Sequence, residues 1–142
     1  MASCIRKTGN TDIHEYQEAA ASSANDWYAG DLVRLDSSGE LVIATAGHIL
    51  GIALKAATGT ASTLIPVDVL TDQDKISVAC NTTTAETDLG ATFDFTFTAG
   101  AHVATAGGST DSYCVDHDTI NAVTTDGGRL ILRILPGALI MR

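Results

Sequence analysis

A chain of 142 residues, 45% hydrophobic and 18% charged, is long enough to bury one core and too apolar to stay disordered. Its 17 acidic residues outnumber 8 basic ones, for a formal charge of −9, which argues against direct binding to a phosphate backbone. Three cysteines with no CxxC spacing make a poor disulfide framework, and no apolar run reaches the ~20 residues of a membrane helix.

The opening stretch, MASCIRKTGNTDIHEYQEAA, lacks the apolar segment of a secretory signal, so synthesis in a cytoplasm is expected. Met1 to Asn25 is small and polar, and Ile5, Ile13 and Tyr16 are spaced too widely for a strand face. HEYQEAAASSAND is long enough for a turn or two of helix, but an isolated helix of that length is marginal. The expectation is an extended N-terminal arm over 1–25, followed by a β domain over 26–142.

From Trp27 the character changes. Leu32, Val33 and Leu35 read as a strand, DSSGE as a turn, and Leu41 to Ala44 as the returning strand. Ile49 to Leu54, Leu64 to Leu70 and, after the TDQD break, Lys75 to Cys80 follow as further strands. In LGATFDFTFTAG, Phe93, Phe95 and Phe97 alternate with Asp94, Thr96 and Thr98, the mark of a half-buried strand. Ala101–Thr105, Ser112–Val115 and Arg129–Leu135 complete the set, with turns at TAGG and TDGG. In the last strand Leu130, Leu132 and Ile134 share one face, while Arg129 and Arg133 face outward with Ile131 and Leu135. Short strands at close spacing, with no helix between them, predict an all-β domain, either a small barrel or a sandwich.

Residues suited to chemistry are few. Cys114, Asp116, His117 and Asp118 are the candidate metal ligands. Strand alternation sends Cys114, Asp116 and Asp118 one way and His117 the other, so a tetrahedral zinc site is not expected. Cys114 reads instead as a small buried hydrophobe. His14, His48 and His102 stand alone in the sequence. The acids of LTDQDK and NTTTAETD lack the spacing of a calcium loop and read as turn residues. There is no GxSxG elbow, and TAGGSTD lacks the lysine of a phosphate cradle. No catalytic, cofactor-binding or metal residue is assigned, no cofactor is expected, and the chain reads as a non-enzyme. Trp27 and Tyr28, where the arm meets the domain, suit either an interface anchor or the core.

One stretch carries a family resemblance. YAGDLVRLDSSGELVIATAGHILGIALKAATG, Tyr28 to Gly59, resembles the opening of small decoration (cement) proteins of tailed-bacteriophage heads. There a GD-V strand, a short turn, a second strand, an I-G-A strand and an Ala/Gly/Thr-rich turn succeed one another; Gly30, Asp31, Val33, Ile49, Gly51 and Ala53 match. LIPVDVL resembles the next strand of that pattern. The resemblance implies a β-barrel or β-tulip-like virion protein on the outer surface of an expanded icosahedral capsid. Its partner would be the major capsid protein, whose neighbouring subunits it bridges as a homotrimer, with no nucleic acid or membrane as partner. An arm reaching onto a neighbour makes Ile5, Ile13, Tyr16 and Trp27 the contact candidates. The alternative is a carbohydrate- or host-surface-binding β-module of a phage tail or fibre.

Overall fold

The computed structural model describes residues 3–20, 26–45, 47–81, 83–106, 111–118 and 128–139. Most of the expected TAGG and TDGG turns lie outside them. Eleven strands occur among the described residues: β1 (Cys4–Thr8), β2 (Ile13–Gln17), β3 (Leu32–Leu35), β4 (Leu41–Ile43), β5 (Gly51–Ala53), β6 (Leu64–Val69), β7 (Lys75–Cys80), β8 (Thr92–Thr96), β9 (Val103–Ala106), β10 (Ser112–His117) and β11 (Arg129–Ile134). The fold is all-β, as the spacing predicts.

Five of these strands close into a barrel in the order β7, β11, β10, β8, β9. The ring shuts where β9 runs parallel to β7, through Ala79↔Val103 and Cys80↔Ala104. The inward residues are those the alternation selects: Phe93 and Phe95 from β8, Leu130, Leu132 and Ile134 from β11, and Ile76 and Val78 from β7. Closure removes the exposed edges that an open sheet of such strands would present.

A second sheet, ordered β2, β6, β5, β3, β4, packs against the barrel. Among its inner strands, β3 and β5 carry buried side chains on both faces. Leu32 and Ile52 point into the barrel core, while Val33 and Ala53 point into a second cluster with Trp27, Leu41, Leu50, Ile65 and Val67. A parallel bridge from Glu18 to Leu41 brings the chain after β2 back to β4.

Gly51 sits where β5 meets β6, and a Cβ there would fall on the Asp68 carbonyl oxygen and 2.9 Å from Val69 Cα. Only backbone lies in the way, so no side chain can swing aside. Gly51→Ala is expected to cost about 3 kcal/mol, the upper end for overpacking, read from the urea midpoint at unchanged slope.

Two expectations need correcting. Residues 3–20 do not stand off the body as an extended arm. β1 pairs along β7 from Cys4↔Val78 to Thr8↔Lys75, and β2 along β6 from Ile13↔Asp68 to Gln17↔Leu64. Ser3, Cys4, Glu18 and Ala19 are buried. An edge strand takes its conformation from its partner's ladder, so it needs no apolar face of its own. Arg129 is likewise not outward but buried, because the N-terminal segment lies over it. Its guanidinium donates to Ser77 Oγ at 2.9 Å, to the Ser77 carbonyl at 2.9 Å and to the Ser3 carbonyl at 3.2 Å.

Candidate functional site

β1 and β2 are consecutive in sequence but belong to different sheets. Beside them, against β5, lies a groove of about 480 Å³ whose lining includes Ile5, Arg6, Ile13, Gly30, Ile52 and Leu54. Ile5, Ile13 and Leu54 are 37%, 54% and 44% exposed, so the groove wall presents apolar surface to solvent. Arg6 spans toward β6: its Nε donates to Asp68 at 2.8 Å, and its other side pairs with Asp74 at 2.6 Å. Its guanidinium is pinned by two carboxylates, the Asp68 hydrogen bond above all raising its already high pKa.

Behind the groove the chain makes a tight passage at Gly30. Its φ of +95° is a left-handed conformation that glycine adopts without a Cβ penalty. The Cys4 N–H donates to the Gly30 carbonyl at 3.0 Å, and the Gly30 N–H to the Ala53 carbonyl at 2.7 Å. The passage delivers Asp31 into the interior, where its carboxylate accepts Ser3 Oγ at 2.7 Å, Tyr28 N at 2.9 Å, Gly100 N at 2.5 Å and His102 Nδ1 at 3.1 Å. Burial pushes the Asp31 pKa up, but the hydrogen bonds, His102's foremost, hold it down at about 2.

The Asp31 and His102 side chains are both fully buried. The Phe97 ring meets the imidazole edge-on at 5.2 Å between centroids, and His102 Nε2 has no hydrogen-bond partner among the described residues. A carboxylate–imidazole pair can serve as a base only if its free nitrogen reaches a nucleophile or substrate; this one faces neither solvent nor a hydroxyl. Its chemistry is that of a clasp, joining the N-terminal segment, the turn before β3 and the β8–β9 loop.

The clasp continues as a chain of buried polar contacts. Ser3 links Asp31 to Arg129, Arg129 donates to Ser77, and Ser77 Oγ donates to Asp118 at 2.5 Å. Lys7 reaches the same Asp118 at 3.6 Å. Elsewhere, the buried Glu18 carboxylate accepts Thr58 N, Thr58 Oγ1 and Gly59 N, fastening the loop between β5 and β6. Asp111 does the same for Gly47 N and Phe95 N, each at 2.9 Å. These carboxylates are satisfied by donors, as buried charge requires.

Of the four contact candidates, Ile5 and Ile13 come together on the groove. Tyr16 is half-buried against the second cluster. Trp27 is 1% exposed, and its indole N–H donates to the Lys55 carbonyl at 3.0 Å, so it takes the core alternative rather than the surface. Leu54, the third exposed wall residue, was signalled only weakly, as an apolar residue closing a strand.

The stretch around Cys114 departs from simple alternation. A register shift between Cys114 and Asp116 turns Cys114 inward and Asp116 outward and buries both His117 and Asp118. Cys114 is buried, as the apolar reading has it. Among the described residues no group of three or more His, Cys, Asp or Glu side chains is placed to hold a metal. The turn acids act within their turns: Asp74 accepts the Thr71 N–H and Asp88 the Ala85 N–H. His102 does not stand alone, but its partner lies 71 positions away, and no local pattern signals that pairing.

All three cysteines are buried, and none forms a disulfide. Burial pushes the Cys4 thiol up to about 12 and the Cys114 thiol up to about 11, and the reactive form is the thiolate. The folded protein is therefore expected to show negligible labelling by an aromatic disulfide at mildly alkaline pH. All three thiols should react at once in denaturant.

No helix among the described residues is long and apolar enough to cross a membrane. Comparison with family models, with curated proteins and with solved structures finds no match to this chain.

Proposed function

We propose that this chain is a structural, non-catalytic protein that docks on the outer surface of an expanded capsid shell and stabilises it by bridging neighbouring major capsid subunits. The observation that carries this reading is the groove wall of Ile5, Ile13 and Leu54, exposed apolar surface on an otherwise acidic body. Contiguous exposed apolar surface on a soluble domain marks an interaction site. The resemblance of Tyr28–Gly59 to capsid decoration proteins supplies the partner, and with it an arrangement of three copies around a three-fold position.

In this reading stabilisation is multivalent. Each contact is modest, many act together, and binding to the intact shell but not to its ruptured form favours the intact state by mass action. The deciding experiment is co-sedimentation of the purified chain with expanded, undecorated shells and with unexpanded ones. Saturable binding to expanded shells alone is the expected outcome, with a copy number that reports the symmetry. Binding to neither shell overturns the reading.

A further inference from the structure

We infer that the groove is a slot for one added β-strand, supplied by an extended segment of the partner polypeptide in which apolar residues alternate with basic ones. This deepens the docking role proposed above and rests on it for the source of that segment.

The geometry starts from β1, which ends the six-stranded sheet. Ladder alternation places the Ile5 backbone groups toward its partner Ser77. The Cys4 N–H points the other way, to the Gly30 carbonyl. Arg6, two residues on and opposite Ile76, therefore aims its N–H and C=O out of the ladder on the groove side. Residues 29–31 already occupy the line between β1 and β5 at one end. Cys4 N donates to Gly30 O, Gly30 N to Ala53 O, and Ala53 N to Asp31 O. The groove opens beside this passage, with Ile5 and Arg6 lining it from β1 and Leu54 from the end of β5.

Such an edge hydrogen-bonds any extended chain, and side-chain pockets then give specificity. Ile5, Ile13 and Leu54 provide the apolar contacts for alternate residues. Charge selects the remainder. Beside the slot the guanidinium of Arg6 lies between the carboxylates of Asp68 and Asp74, while the Asp12 carboxylate pairs with His14. One positive charge against two negative ones favours a basic flank on the incoming strand.

The test uses the full chain and a short blocked peptide in which valine alternates with lysine. The expected result is binding that protects the Arg6 amide from hydrogen exchange, is weakened about tenfold or more by Ile13→Asp, and is lost when alternate peptide nitrogens are methylated. Ile13 is more than half exposed, so the variant keeps the fold. Binding indifferent to N-methylation, or to replacement of lysine by glutamate, overturns the inference, and so does no binding at all. Shell co-sedimentation run in parallel separates the two claims. Undiminished docking by Ile13→Asp removes the slot while leaving the docking role, whereas peptide binding without shell binding removes the docking role alone.

Discussion

Replacing Asp31 by alanine is expected to lower the unfolding free energy by about 3–5 kcal/mol, because it strands buried donors rather than merely deleting a contact. Tyr28 N, Gly100 N and His102 Nδ1 lose their acceptor together, and Ser3 Oγ falls back on the Gly30 carbonyl at 3.1 Å. Asp31→Asn keeps the shape and one acceptor oxygen but aims an amide at a donor, so a smaller loss of about 2 kcal/mol is expected. Urea denaturation of both variants checks the order.

The same residue sets an acid limit. A carboxylate whose folded pKa lies below its unfolded value stabilises the fold at every pH above the unfolded value. That contribution disappears as pH falls through both. For Asp31 the window runs from 3.8 down to about 2, and the contribution is about 2 kcal/mol. Wild-type stability should fall across that window, and the Asp31→Asn variant should show a shallower decline. Parallel limbs would show that another group governs acid unfolding.

Trp27→Ala is expected to cost about 3–5 kcal/mol, the range for emptying a large aromatic site, and to lower the melting temperature by about 10 °C. Trp27 is the largest of the fully buried side chains, and its N–H is satisfied by the Lys55 carbonyl. Circular dichroism is the readout, since the variant loses the protein's single tryptophan. In the shell assay the folded fraction should dock with unchanged affinity. A docking loss with unchanged stability would return Trp27 to the surface.

What could be read from the residues was whatever local periodicity encodes. β7, Lys75–Cys80, matches its expected bounds, and β8 and β11 carry the Phe93/Phe95 and Leu130/Leu132/Ile134 faces that alternation selects. β2 was not legible. Ile13, His14 and Glu15 are all exposed, so no face announces it, and only the ladder to β6 makes it a strand. The outward reading of Arg129 failed for the same reason, since it assumed that nothing covered that face. The Cys114 stretch failed because a bulge, invisible in a two-residue period, reset the alternation. The groove was half-legible: Ile5 and Ile13 are among the contact candidates of the expected arm, but their convergence depends on two sheets meeting. The Asp31–His102 clasp could not be read, because neither residue type nor spacing indicates a pairing made entirely in three dimensions.

Placing the first strands in both sheets also governs when this protein can finish folding. β1 leaves the ribosome first, yet Cys4 must wait for Val78, and the Ser3 carbonyl waits 126 residues for Arg129. Closing loops of that length precedes any reward from the contacts they make, so such topologies fold in milliseconds to seconds rather than microseconds. Until β7 emerges, β1 has no ladder to join, and the Ser3 contact that covers Arg129 must wait longer still, for β11.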